Sequence, residues 1–442
     1  MIIDFTISNY RSIKNPMTIS FLATKDKNLE DYYTASFDNG RYRILKMACI
    51  MGANASGKSN LLRAFSLFPQ LMLQPCETKQ SSIRYDRFAL DSAMDDKYSE
   101  MVINFICGSQ RYCYEVRFDN NVVAYELLRA YPFGQRSVAR KVYEKILDTN
   151  TMVSQIVWGD KYKSQSHARD LSVNLLPNRT LFGSFQKSNV DIPWMKEIVD
   201  WSSSYFLPIV NTTEQNLYGY TTQLLDRHQI NKQQVENLLR WADFGISDLS
   251  LVKKQEMLPA VVAQSIINDS NVPLELKENI KAHPVIERVA VEMTHVGTDK
   301  SVSFDFNNES NGTKRYYELS SILLSLTNGN HFVTIDELDC KLHPDLYQHF
   351  INTFLTNAQH SQLVFTTHMR EFLNDRSLYR DDSVWITEKN DAGETTLYSL
   401  ADFDTSVLRK STNRYNAYRM GVLGGVPHLG STYITKPSAE KV

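Results

Sequence analysis

Gly52-Ala53-Asn54-Ala55-Ser56-Gly57-Lys58-Ser59 matches the G-x-x-x-x-G-K-[ST] phosphate loop at every fixed position. The chemistry needs these residue types. Glycines let consecutive backbone N–H groups curl around phosphate oxygens, Lys58 reaches the β- and γ-phosphates, and the Ser59 hydroxyl ligates Mg²⁺. The flanks fit: Met47-Ala48-Cys49-Ile50-Met51 reads as a buried strand entering the loop, and Asn60-Leu61-Leu62-Arg63-Ala64-Phe65-Ser66-Leu67 as an amphipathic helix leaving it. The helix start then turns its partial positive charge toward the phosphates. The expected nucleotide contacts are therefore Gly52, Ala53, Asn54, Ala55, Ser56, Gly57, Lys58, Ser59 and Asn60.

Three downstream motifs narrow the class of nucleotide site. His331-Phe332-Val333-Thr334-Ile335-Asp336-Glu337-Leu338-Asp339 is an apolar strand ending in acids, the pattern of a Walker B segment. Asp336 is expected to hold hydrated Mg²⁺ and Glu337 to polarise the attacking water. Adjacent carboxylates on a strand point to opposite faces, which allows them different roles. After Leu342-His343-Pro344, the run 345–355 has helical periodicity with Pro344 in the first turn, and Gln362-Leu363-Val364-Phe365-Thr366-Thr367-His368 reads as another strand. The two strands and the helix make a βαβ unit of a parallel sheet. His368 falls at its carboxyl edge beside the acids, placed for a γ-phosphate or water contact. Upstream, Glu309-Ser310-Asn311-Gly312-Thr313-Lys314 lies between a strand-like run at 302–306 and a helix-like run at 316–324. A Ser-x-Gly helix start suits a phosphate, and it equally suits a plain N-cap and turn.

The chain has 442 residues, which implies two or three lobes. Hydrophobic content of 42% and charged content of 22% are those of a globular protein, and no apolar run reaches membrane-spanning length. The amino terminus lacks the basic start of a signal peptide, so the expected address is the cytoplasm, without a membrane. Cys49, Cys76, Cys107, Cys113 and Cys340 include no C-x-x-C pair and no zinc spacing. A formal charge of −2 gives no global attraction for nucleic acid.

The order of phosphate loop, Ser-x-Gly helix start, Asp336-Glu337, Leu338-Asp339 and His368 resembles the ABC-type ATPase heads of the SMC, RecF and OLD group. Ile7-Ser8-Asn9-Tyr10-Arg11-Ser12-Ile13 looks like that group's opening strand and turn, and Leu338-Asp339 before Leu342-His343-Pro344 is similar to its D-loop region. Trp385-Ile386-Thr387-Glu388-Lys389, Leu397-Tyr398-Ser399-Leu400 and the glycine-rich tail through Gly424-Gly425-Val426-Pro427 resemble the small RloA-like ATP-binding proteins of abortive-infection and PARIS-type anti-phage loci. The resemblance implies an α/β P-loop NTPase fold of ABC-ATPase head type. It would have a mixed or parallel sheet, an antiparallel β lobe and a helical insert. ATP and Mg²⁺ would be its cofactors, with Arg11, Ser310, Gly312 and Asp339 added to the nucleotide contacts, Ser59 and Asp336 as metal ligands, and Lys58, Glu337 and His368 as catalytic groups. Two heads would meet head to tail, each completing the other's site with Ser310 and Gly312. The implied activity is ATP hydrolysis in an anti-phage switch. Its implied partners are a second copy, a separate effector such as a TOPRIM-like nuclease, and a phage-encoded trigger. One departure stands out: no glutamine lid is found, and Tyr98-Ser99-Glu100 occupies the region expected for it.

The expected division is an amino-terminal ATPase lobe at 1–130, an insert at 131–290 that is largely helical from about 190, and a carboxyl-terminal ATPase lobe at 291–442. No sustained heptad appears, which argues against a long coiled coil. Residues 101–106 and 112–118 read as meander strands. The insert is either a partner surface or a second packed lobe. Arg136, Arg140, Lys141 and Lys145 form a basic cluster whose ordinary role is a solvated face. Glu388 with Asp402 and Asp404 is spaced too tightly for a TOPRIM nuclease domain. A RecF-like, ATP-dependent sensor of DNA structure is the alternative function, and neutral net charge counts against it.

Overall fold

The computed structural model describes residues 1–427 apart from 135–137, 164–166, 213–214, 243, 271, 405–407 and 409–411. They divide into two compact units: Met1–Asn211 with Asn330–Leu338 and the chain from Ala358 onward, and Thr212–Gly329 with Asp339–Asn357.

Long apolar runs in the first unit become a six-stranded sheet in the order Val210–Asn211, Phe332–Asp336, Gln362–Thr366, Met47–Gly52, Val384–Lys389 and Thr395–Ser399. The first five strands are parallel and the last closes an antiparallel hairpin. All six residues of Met47–Gly52 are buried. A strand covered on both faces reads as a continuous hydrophobic run, which is why the sequence shows no alternation there. Register decides the rest: Ile335 pairs with Phe365, Thr366 with Ile50, and Thr387 with Gly52. The carboxyl ends of four strands therefore share one edge.

A seven-stranded antiparallel sheet runs Val153–Trp158, Arg140–Asp148, Val123–Pro132, Gln110–Phe118, Ser99–Cys107, Ile2–Ser8 and Met17–Ser20. Helix Lys58–Ala64 leaves the phosphate loop, and Phe65 just beyond it lies against Phe5 of this sheet at 4.6 Å and Phe332 of the parallel sheet at 4.8 Å. That aromatic contact ties the two sheets beneath the loop.

The second unit holds helices Leu217–Asp226, Lys232–Trp241, Asn311–Asn328 and Pro344–Asn357, with a three-stranded sheet Ile246–Met257, Val285–Val296 and Ser301–Asp305. Two short helices, Ala260–Asn268 and Leu274–Ala282, join its two long strands. No long coiled coil appears among the described residues, and the architecture is an α/β P-loop fold with mixed and antiparallel sheets.

Three expectations need correction. The stretch from about 190, expected to be largely helical, holds five helices among its described residues but also the strand Ile246–Met257, which pairs along its length with Val285–Val296. Its second half is lysine- and glutamate-rich, and cross-strand ion pairs such as Lys253–Glu287 and Lys254–Glu292 do the pairing that apolar alternation signals elsewhere. The boundaries at 130 and 290 fall inside strands Val123–Pro132 and Val285–Val296. The basic cluster is not one solvated face. Arg136 lies outside the described residues, while Lys145 is fully buried and donates to the Val123 carbonyl at 2.7 Å. Strand alternation turns it inward near Glu126, which is also fully buried and accepts from Tyr143 at 2.6 Å and the Leu181 N–H at 2.7 Å.

Candidate functional site

At the shared carboxyl edge a cleft of about 460 Å³ is lined by Asn54, Ala55, Ser56, Gly57, Lys58, Ser59, Asn60, Asp336, Glu337, His368 and Lys389. Its size is in the range of small-molecule sites. Three neighbouring strand ends thus bring together the phosphate loop, both acids and His368. Gly52 and Ala53 stand behind the loop, where their carbonyls accept from Lys58 Nζ at 2.8 and 2.9 Å. The lysine amine is therefore held at the loop.

The loop is pressed onto the carboxyl-terminal hairpin. Ser56 Oγ is 2.6 Å from Thr387 Oγ1, and Thr395 Oγ1 is 2.9 Å from the Ser56 carbonyl and 2.8 Å from Ser12 Oγ. Asn60 Nδ2 donates to the same Ser12 hydroxyl at 2.8 Å. Gly57 has φ 106°, and a Cβ there would meet Thr395 Oγ1 at 2.2 Å. Helix Lys58–Ala64 starts at Gly57 with no side-chain cap. An uncapped helix start preceded by a glycine fits a phosphate chain, whose oxygens accept the first-turn N–H groups.

Opposite the loop, the Walker B strand ends in a turn that places Glu337 at φ 54°, a left-handed conformation uncommon outside glycine. Glu337 is exposed and Asp336 is half-buried. Thr366, at the end of the neighbouring strand, binds both residues: its hydroxyl donates to Asp336 Oδ1 at 2.6 Å and accepts the Glu337 N–H at 2.7 Å. Ser59 and Asp336 supply the hydroxyl and carboxylate oxygens that a hard divalent cation prefers, so the pair fits Mg²⁺. No larger cluster of metal-ligating side chains occurs among the described residues.

Arg11, Ser310, Gly312 and Asp339 are not among the residues that line the cleft. Arg11 sits in a turn at φ 50° and pairs with Asp86 at 2.8 Å, while its N–H donates to the Asp86 carbonyl at 2.9 Å. In the second unit, Ser310 caps helix Asn311–Asn328 by accepting the Thr313 N–H at 3.1 Å, and Gly312 follows in its first turn. Asp339 lies in the turn after the Walker B strand, its carbonyl accepting the Leu342 N–H at 3.1 Å. The sequence reading missed Lys389, Thr366, Thr387 and Thr395. The polar ends of their strands were visible, but the partners of Thr387 and Thr395 lie more than 300 residues away, and those of Thr366 lie about 30 away on the neighbouring strand.

A family model described as "AAA domain, putative AbiEii toxin, Type IV TA system" matches residues 237–374, about a third of the chain. That span includes Ser310, Gly312, Asp336, Glu337, Asp339 and His368 and leaves out the phosphate loop. Among solved structures, the SMC head bound to the C-terminal winged-helix domain of ScpA is similar at a TM-score of 0.41 and 13% identity, over 90% of this chain and 97% of that one. The SMC head domain from Thermotoga maritima gives 0.36 and 12% over 90% and 98%. The Smc head domain with an extended coiled coil, bound to the C-terminal domain of ScpA derived from Pyrococcus furiosus, gives 0.34 and 13% over 90% and 96%. No curated protein matches the chain. No helix among the described residues is long and apolar enough to cross a membrane. The cleft brings a phosphate-loop sequence, two carboxylates and a histidine together at one sheet edge.

Proposed function

We propose that the protein is an ATP-binding and ATP-hydrolysing switch subunit of an abortive-infection type anti-phage system. ATP joins two copies, and the joined state controls a separate effector such as a nuclease. The observation that carries the catalytic part is the single cleft in which the phosphate loop, Asp336, Glu337 and His368 converge. Lys58 and the loop N–H groups bind the phosphates, and Lys389 adds a second cation at the rim. Ser59 and Asp336 would hold Mg²⁺, which when bound neutralises charge on the β- and γ-phosphates. Glu337 orients the attacking water and takes its proton, and His368 faces the γ-phosphate end. The defence role rests on the sequence resemblance, and the description of the family model over 237–374 supports it.

Glu337→Gln removes the base while keeping the side chain's shape. The purified variant should lose at least about a hundredfold in phosphate release while retaining ATP, and light scattering should find it as a stable dimer only with ATP. A strictly monomeric variant under saturating ATP would overturn the switch. Absence of phosphate release by the unaltered protein, even when joined to its native neighbours, would overturn hydrolysis. Affinity purification of the Glu337→Gln protein with its neighbouring genes should retain the effector. ATP-dependent, salt-sensitive DNA binding by the isolated chain would instead support a DNA-structure sensor.

A further inference from the structure

We propose that Thr366 is the positioning residue for both acids of the site, setting the Mg²⁺-facing carboxylate of Asp336 and the water-facing carboxylate of Glu337 through one hydroxyl. This deepens the ATPase reading and rests on it.

A threonine hydroxyl has one proton and two lone pairs. An ionised Asp336 only accepts, so the Thr366 proton lies toward Oδ1 at 2.6 Å, and a lone pair takes the Glu337 N–H at 2.7 Å. The Leu338 N–H donates to the Thr366 carbonyl at 3.1 Å. Thr366 thus holds the Glu337 residue from both sides, through the amide before its Cα and the amide after it. Glu337 has φ 54° in that turn. A side chain other than glycine stays in such a conformation only where its surroundings hold it. Without the hydroxyl the turn relaxes toward an extended backbone and re-aims the Glu337 carboxylate, while Asp336 loses a short hydrogen bond that orients its carboxylate.

Thr366 is itself fully buried and lies in the central parallel ladder opposite Ile50, next to the phosphate-loop strand. The clamp is therefore built on rigid backbone. The neighbouring Thr367 is engaged elsewhere, since its hydroxyl accepts the Met369 N–H at 3.0 Å and its own N–H donates to the Ile50 carbonyl. The two threonines are not interchangeable: of the pair, Thr366 is the one whose hydroxyl binds the acids.

The test compares Thr366→Val, Thr366→Ala and Thr366→Ser with the unaltered protein. ATP binding in EDTA, Mg²⁺ titration of ATP binding, and kcat at saturating Mg²⁺ are measured. ATP binding in EDTA should stay within about twofold for all four, because the phosphate loop is untouched. Outer-shell partners of a metal ligand are worth about 10–100-fold in metal affinity or activity. Half-saturating Mg²⁺ should accordingly rise, and kcat fall, by that factor in the valine and alanine forms, with serine within about threefold of the unaltered protein. A valine form with ordinary Mg²⁺ half-saturation and kcat overturns the proposal, as does a serine form as impaired as valine. If valine does not fold, alanine, which adds no bulk, is read by the same criteria. If the unaltered protein binds Mg²⁺ and ATP but hydrolyses nothing, the hydrolysis reading fails, while the Mg²⁺ titration of binding still decides the role of Thr366.

Discussion

Gly57 shows how one residue type is imposed from both directions. Its φ of 106° lies where an L side chain is strained, and the hairpin leaves its Cβ position no room, with Thr395 Oγ1 at 2.2 Å and Cγ2 at 2.7 Å. Gly57→Ala should cost about 1–3 kcal/mol of folding stability from the backbone alone, and more from the overlap. Thr395→Ala in the same chain removes both close atoms, so the double variant should regain the steric part in urea denaturation and keep the backbone part. A single variant as stable as the unaltered protein would refute this account of the loop. The glycine was legible because the phosphate-loop pattern is contiguous. Thr395 was not, since its contact with Ser56 spans 339 positions, and no local pattern marks a hydroxyl whose partner is that remote.

Strands were legible where burial made a run of them apolar, as in Met47–Gly52 and the Leu363-Val364-Phe365 centre of Gln362–Thr366, and illegible where charged residues replaced apolar alternation, as in Ile246–Met257. Cations inside elements were missed for a related reason: a lysine counts as a surface residue until pairing shows which way it faces. Lys46, just ahead of the phosphate-loop strand, is buried and donates to the Ala358 carbonyl at 2.8 Å. Desolvation lowers its pKa from 10.5 to about 8. Nearby His360 is pushed below its ordinary value by burial, the amino terminus and Lys46 itself, and carries no charge at alkaline pH. The folded state therefore gives up the Lys46 proton near pH 8, whereas the unfolded chain keeps it to about 10.4. Because the unfolded state binds more protons between those values, stability should rise with pH across that window, by about 2–3 kcal/mol from this group. Lys46→Met should remove that rise: the stability difference between the unaltered protein and the variant, from denaturant melts at pH 7.5 and 9.5, should shift in favour of the unaltered protein. A difference independent of pH would show that the buried amine is already neutral or remains well hydrated.

At the scale of the whole molecule, the parts expected of one nucleotide site belong to two compact units. The phosphate loop, Asp336, Glu337 and His368 are in the first, and Ser310 and Gly312 in the second. In the head-to-tail arrangement proposed for two copies, one chain's loop works with the other chain's Ser310 and Gly312, and this sharing has a consequence that no single-chain site reproduces. Lys58→Ala disables the loop, and Gly312→Asp sets a negative charge where the partner's triphosphate would lie. An added Cβ at Gly312 meets nothing nearer than 3.8 Å, and an acidic residue suits a helix start, so this variant should fold. Each variant alone should be inactive, and the Gly312→Asp protein should still bind ATP through its own loop. Mixed in equal amounts, random pairing makes half of the dimers mixed. Each mixed dimer joins the intact loop of one chain to the intact Gly312 of the other, so phosphate release should return to about a quarter of the unaltered rate, as expected for a two-fold pair with one good site. No recovery on mixing, with both proteins folded and the Gly312→Asp form binding ATP, would mean that the chain completes its site alone. Coupling of nucleotide state to assembly would then have to lie outside the Ser310–Gly312 helix start.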